Sequence, residues 1–355
     1  MPGNTEIPHP GAQLHLNGPE YGVGFPAAET SFSNRRPGKY GTDYKYDTQA
    51  SMDFLAARGW RIVKLPIRWE RIQPELYQPL DAAELGRLTA FLGRCRKAGL
   101  RVNLDIHNYG LYYHDVDGVG VRTALGESGL RVPAFVDLWR RLAAVFRDDP
   151  TVVIYNLCAE PQGDYGGLRG QTWRTASQAA VEAIREVDPA TEIHVAGYGW
   201  SGLRNWSWFN PQPWITDPGR NFRYVGHHYW DTDGGGTYGE RTYIQGLPPT
   251  GTDAIPEAGI PLAWHTRILR ELDDFVDWLD EAGVPGIIGE LGWPHDSPDW
   301  NVFGDWYLRK AALRGLPVVH WCAGEWADED PLSLYGGNPL SEVRASGIIA
   351  EAHRG

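Results

Sequence analysis

VIYNLCAEPQGD, residues 153 to 164, is a β-rich apolar run that stops abruptly at a glutamate. An ionised carboxylate buried without a partner is costly, so Glu160 is paired, exposed, or kept at the end of its strand for its chemistry. The same phrase recurs along the chain. Apolar runs ending in polar or aromatic clusters occupy 21–25 (YGVGF), 61–67 (RIVKLPI), 101–107 (RVNLDIH), 152–158 (VVIYNLC), 192–198 (EIHVAGY), 224–229 (YVGHHY), 286–291 (GIIGEL) and 317–322 (PVVHWC). Segments of helical spacing lie between them, such as DAAELGRLTAFLGRCRKAG, PAFVDLWRRLAAVFR, TWRTASQAAVEAIREV and TRILRELDDFVDWLDEAG, and several end at Gly or just before Pro. Eight strand–helix phrases in series predict an α/β fold, a (β/α)8 TIM barrel formed as a single domain by residues 1–355.

Composition agrees with a large globular core: 42% of the 355 residues are apolar and 12% aromatic. The net charge of -12 argues against a phosphate-backbone partner, which needs clustered Lys and Arg, so no nucleic acid is expected. Cys95, Cys158 and Cys322 are widely spaced without a CxxC, which signals neither a disulfide framework nor a zinc site. The first residues, MPGNTEIPHPG, lack a basic region followed by an apolar run, and no segment approaches a membrane span. A cytoplasmic location is expected from the chain as written, and secretion if a leader has been removed. Dinucleotide and phosphate-loop motifs are absent, and GYGWSGL does not have the spacing of a nucleophile elbow.

In such a barrel the active site lies at the carboxyl ends of the strands. Those ends offer Lys64 and Arg68, His107 and Asn108, Glu160, Trp200, His227 with Tyr229, Glu290, and His320 with Trp321. Two carboxylates among aromatics, amides and imidazoles suit glycoside cleavage, with Glu160 and Glu290, on the fourth and seventh barrel strands, as the pair. A separation of about 5 Å would give retention of configuration and about 6.5–9.5 Å inversion. Alternation along a strand turns His228 away from its neighbours and puts Asp105 on the side of His107, where a structural role near the barrel wall is expected. Glu325, beyond the last strand, is the rival carboxylate and is assigned to a loop near substrate.

Taken in order, LPIRWERIQP, LDIHNYG, VIYNLCAEP, GYGWSG, GHHYW, GIIGELGWP and VVHW resemble the strand-end motifs of glycoside hydrolase family 5, the retaining cellulase and mannanase barrels, over roughly residues 20 to 350. The resemblance implies that Glu160 is the general acid/base and Glu290 the nucleophile. It also implies that His107 and His227 bind sugar hydroxyls, that Tyr229 hydrogen-bonds the nucleophile and that Trp321 forms the floor under the sugar. Lys64, Asn108 and Trp200 complete the expected substrate-binding set. Two departures stand out: Ala159 where the family usually has Asn, and Lys64 where it usually has Arg, which loses a planar bidentate fork. The partner expected is an oligosaccharide or glycoside, with no membrane, no metal and no organic cofactor; the oligomeric state is open. Ala159 raises the expectation of a substrate differing from plain cellulose at the sugar 2-position, with Asn156 or Asn108 as stand-ins for the missing amide. The alternatives are a transglycosylase of the same fold and a catalytically weak carbohydrate-binding pseudoenzyme.

Tryptophan is abundant, with sixteen residues. Trp278 falls in a helical apolar stripe, whereas Trp200, Trp206, Trp208, Trp214, Trp230, Trp293 and Trp326 follow strands, and about half of these are expected to line a cleft. The Gly- and Pro-rich insertion 231–261 is expected to form a lid or subsite wall.

Overall fold

The computed structural model describes residues 22–30, 36–117, 119–162, 168–238 and 262–353. Eight parallel strands close into a barrel: β1 Gly22–Gly24, β2 Ile62–Ile67, β3 Arg101–Ile106, β6 Val152–Asn156, β7 Glu192–Ala196, β8 Phe222–His227, β9 Gly286–Leu291 and β10 Val318–His320. β1 pairs with both β2 and β10, which closes the ring. Each strand overlaps its expected run, and most stop one or two residues short of its end.

The helices form where the apolar spacing placed them. In Val132–Phe146 the residues Phe135, Leu138, Trp139, Leu142 and Phe146, three and four apart, are buried against the strands, and Pro133 sits in the first turn. Each such side chain contributes about 2 kcal/mol by leaving water. Helix Ala82–Ala98 begins at Asp81, whose carboxylate accepts from the Glu84 amide at 2.7 Å, and stops at Gly99 in the left-handed region.

One expected repeat is missing. After β7 there are only a 3-10 turn, Leu203–Asn205, and a four-residue helix, Trp206–Phe209, followed by irregular chain up to β8. Trp206 fills the space of a longer helix by packing edge-on to Phe275 and Trp278, with ring centroids 4.6 and 5.4 Å away. Two antiparallel pairs were not foreseen: the hairpin β4 Leu111–Val116 with β5 Val119–Ala124, which follows β3, and the short pair β11 Tyr335–Gly336 with β12 Glu342–Val343.

Glu325 does not contact a cleft. It is buried, and its Oε1 accepts from the Thr48 amide at 2.8 Å, the Thr48 hydroxyl and the Ser51 hydroxyl at 2.7 Å, so it caps helix Gln49–Ala57 from the far end of the chain. Its own amide donates to Asp47 Oδ1 at 2.6 Å. The open N–H groups of a helix start attract a carboxylate, and sequence distance hides such a partner.

His320 also turns from the mouth. It packs against Trp60 and Trp293 on the outside of the barrel, and neither ring nitrogen has a hydrogen-bond partner among the described residues. Burial holds its imidazole down to about 3, against an ordinary 6.5. Below the ordinary value the unfolded chain takes up a proton here that the folded chain refuses. This contribution to stability is therefore present above pH 6.5 and is lost as pH falls toward 3. His320→Phe is expected to gain roughly 2–4 kcal/mol over the parent in urea unfolding at about pH 4 and far less at about pH 8. Identical pH dependence in the two proteins would refute this.

Among the described residues, no helix is long and apolar enough to cross a membrane.

Candidate active site

The barrel mouth gathers side chains from six strand ends. Alternation along β3 turns Asp105 and His107 inward, β2 contributes Lys64, β8 contributes His227, β9 contributes Glu290, and the loops after β6 and β10 bring Glu160 and Trp321. Lys64 Nζ donates to Glu290 Oε1 at 2.7 Å, and Tyr229 Oη donates to Glu290 Oε2 at 2.9 Å. His227 Nδ1 lies 2.8 Å from Glu160 Oε1 and 3.4 Å from Glu290 Oε2, which places it between the two carboxylates. One oxygen from each glutamate and a ring nitrogen of His227 all lie within 4.8 Å of one another.

Local backbone geometry sets this spacing. Glu160 has φ 50, in the left-handed region that L-residues adopt at a cost of about 1–2 kcal/mol. The turn is held by Pro161, whose carbonyl accepts from the amides of Gly199 at 3.0 Å and Trp200 at 3.2 Å. Gly199, Trp200 and Ser201 are themselves three successive left-handed residues. On the opposite side, Trp321 lies over Gly24, where an added Cβ would come within 2.8 Å of the indole. Only glycine lets the ring settle there, with its centroid 5.8 Å from that of His107.

The electrostatics single out Glu290. Burial alone would raise Glu290, but His227, Lys64 and His107 outweigh it and hold the carboxylate at about 2. Lys64 is buried, which favours its neutral form, yet Asp105 and Glu290 carry it above its ordinary value. His107 follows the same logic: burial lowers it, and the bond to Asp105 raises it to about 9. Burial and the charges of Glu290 and Glu160 keep the Tyr229 phenol protonated and so a donor. Glu290 is thus ionised, ringed by donors, and less exposed than Glu160, whose side chain is 16% accessible against 4%.

A family model described as cellulase (glycosyl hydrolase family 5) matches residues 16–326. The chain belongs to glycosyl hydrolase family 5. It is similar to the solved endoglucanase Cel5A of Pseudomonas stutzeri in complex with cellobiose, at 28% identity and a TM-score of 0.78, covering 94% of this chain and 92% of that one. It is also similar to an endo-beta-1,4-glucanase structure from Xanthomonas axonopodis pv. citri, at 26% identity and a TM-score of 0.75, covering 95% and 98%. Among curated proteins, a probable endo-beta-1,4-glucanase B of Aspergillus oryzae is 26% identical over 323 residues, 89% of this chain and 84% of that protein. As a family 5 member the protein is a glycosidase of the retaining, cellulase-like kind.

Within this family 5 barrel, the structure brings together Lys64, His107, Glu160, His227, Tyr229, Glu290 and Trp321. Trp200 stands at the rim, its ring 5.8 Å from Tyr109, which in turn lies 5.1 Å from His107. Asn108 does not join them. It is buried, with its oxygen accepting from the Trp69 amide at 2.8 Å and its nitrogen bonded to Glu70 and the Leu111 carbonyl, so it locks the loop after β3. His227 departs from the expected contact with a sugar hydroxyl, because Nδ1 faces the two glutamates and Nε2 is buried near Gly289. Arg68 is buried too, donating to the Glu29 carbonyl at 2.9 Å and to its carboxylate. His228 faces away, between Tyr307 at 2.7 Å and Glu271 at 3.0 Å, as alternation requires.

Three of the cleft expectations fail because large rings pack beneath the loops. Trp206, Trp230 and Trp293 are buried, the last two stacked at 5.3 Å. Trp214 donates to Ser177 at 2.9 Å, Trp326 lies beneath Lys45, and Trp208 is exposed. Trp278 is core, as its stripe implied. The lid or wall expected at 231–261 lies outside the described residues from 239 onward; before that, Asp231 accepts from the amides of Gly236 and Tyr238, both at 3.1 Å.

Asp105 belongs with this group of side chains. It sits inside the polar cluster, with Oδ2 3.0 Å from His107 Nδ1 and 3.4 Å from Lys64 Nζ, and Oδ1 accepting from Asn156 at 2.9 Å. The alternation that aligned it with His107 was the available signal. Asp105 with His107 and Glu290, and Glu160 with His227 and Glu290, have the spacing of metal ligands. The Lys64 ammonium, 2.7 Å from Glu290 and 3.4 Å from Asp105, already supplies positive charge between two of these carboxylates. All three cysteines are buried and unpaired.

Proposed function

We propose that the protein hydrolyses β-1,4-glucan internally, with Glu290 as nucleophile and Glu160 as general acid/base. The observation that carries this reading is the approach of one oxygen of each carboxylate to within 4.8 Å of the other, a closeness that favours the short carboxyl spacing of about 5–5.5 Å found in retaining enzymes. A Glu290 oxygen attacks the anomeric carbon as the glycosidic C–O bond breaks and the Glu160 proton passes to the leaving oxygen. Water then attacks the same carbon, gives its proton to Glu160 and frees Glu290. Ionised Glu290 is the group suited to attack. The Tyr229 hydroxyl and the Lys64 ammonium orient it, and His107, its Nδ1 turned to Asp105, presents the opposite edge of its ring to substrate.

The endoglucanase names of the relatives favour β-1,4-glucan. Ala159 is fully buried, so its methyl opens no space for a larger 2-substituent, and we favour a plain glucosyl unit over the altered sugar that Ala159 suggested. The test is to digest cello-oligosaccharides and follow the new reducing end by NMR. The β-anomer is expected first, with internal cuts and little action on mannan. Early α-anomer would overturn the retaining mechanism, and equal turnover of mannan would overturn the glucan assignment.

A further inference from the structure

Asp105 has no accessible surface, yet its carboxylate is met from three strands. Lys64 approaches from β2 at 3.4 Å, His107 from β3 at 3.0 Å and Asn156 from β6 at 2.9 Å. The two cationic partners are also the nearest cations of β2 and β3 to Glu290 on β9: Lys64 at 2.7 Å and His107 at 3.9 Å. Lys64 is therefore shared between two carboxylates, while His107 leans to Asp105 by almost an ångström. Asn156 fixes the other oxygen of Asp105, so the carboxylate cannot rotate freely toward either cation.

We propose that Asp105 is a positioning residue for Glu290: it anchors Lys64 and His107 beside that carboxylate and keeps their positive charge there without touching substrate. The need is physical. A buried nucleophile stays ionised only if opposite charge is close, but cations free to collapse onto it would cover the oxygen that must attack. A second carboxylate behind them holds them at working distance. Lys64 matters more here than an arginine would, because an ammonium is a point charge on a flexible stem with no planar fork of its own to set direction. The other charged groups facing this cluster are Glu29, whose charge reaches His107, and Glu160 with His227 on the far side of Glu290. None of these bonds Asp105 among the contacts above. Burial would discharge an isolated imidazole, and the bond to Asp105 reverses this for His107.

This inference rests on Glu290 being the nucleophile, and the experiment separates the two. In the parent, NMR titration of the His107 ring is expected to give a midpoint near 9, far above the ordinary 6.5. A midpoint at or below 6.5 in the parent would overturn the proposal with no variant made. In Asp105→Asn the midpoint is expected to fall by at least two units. Reaction with an activated 2-fluoro-cellobioside should still label Glu290, about 100-fold more slowly than in the parent, with KM for cello-oligosaccharides changed less than threefold. Asp105→Glu, which keeps the charge but displaces it, should retain a raised His107 midpoint and still lose rate. Labelling of another residue in the parent would sink the nucleophile assignment itself. Labelling of Glu290 at the parent rate in Asp105→Asn would leave that assignment standing and sink the role of Asp105.

Discussion

Glu290→Gln lowers kcat on an aryl β-cellobioside by an expected factor of roughly 10⁴ or more, with the fold intact. The amide keeps the size of the carboxylate but has no charge with which to attack. Removing that charge leaves Lys64 with Asp105, 3.4 Å away, so no buried cation is stranded and stability should stay within about 2 kcal/mol of the parent. The decisive measurement uses Glu290→Ala with added azide. Azide entering the space of the lost side chain attacks from the same side and yields an α-glycosyl azide. A β-azide, or a residual activity above about 1% of the parent, would mean that Glu290 is not the nucleophile.

The second large effect concerns Glu160, and it depends on the leaving group. A dinitrophenolate departs without a proton, so Glu160→Gln should form the glycosyl-enzyme from dinitrophenyl β-cellobioside within about tenfold of the parent rate. Hydrolysis of the intermediate also needs Glu160, as base, so it should slow by about 10²–10⁴-fold and produce a burst of phenolate equal to the enzyme present. On unactivated cello-oligosaccharide both steps need the residue, and the loss should exceed about 10³-fold. Azide should then give the β-azide, by attacking the intermediate from the opposite side to Glu290. Equal losses on both substrates, with no burst, would remove Glu160 from the acid/base role. His227, 2.8 Å from Glu160, would be the first group to test in its place.

The barrel was legible because its strands are short apolar runs with abrupt polar ends, and the eight runs fall where β1, β2, β3, β6, β7, β8, β9 and β10 form. A period of two along β8 was enough to send His228 away from the mouth. The hairpin Leu111–Ala124 escaped because its LYYHDV and VGVRTA strands are half polar and sit among turn residues, without the apolar density of a barrel strand. The helix expected after β7 is cut to a short one, Trp206–Phe209, whose Trp206 ring fills the remaining space, a substitution of volume that periodicity does not register. Residues whose role depends on a remote partner were misread in a consistent way. Glu325 caps a helix whose capped residues lie 274 and 277 positions earlier in the chain, and Asn108 ties two loops. For Asp105, facing direction was available from the strand, but its partners on β2 and β6 exist only once the sheet closes.

The pair of bonds from the Gly199 and Trp200 amides to the Pro161 carbonyl joins the loop after β6 to the loop after β7. The amide of His227 closes the circuit by donating to the Ser201 carbonyl at 2.8 Å, and its ring returns to Glu160. These loops are therefore not interchangeable parts. In barrels of this kind new specificities are commonly sought by grafting one loop at a time onto a fixed frame. Here a graft that replaces residues 199–201 would release the backbone that sets the φ of Glu160 and, through His227, the spacing of the two carboxylates. A recombination boundary that preserves turnover has to keep Glu160–Pro161, Gly199–Ser201 and His227 from the same parent, whatever is exchanged around them.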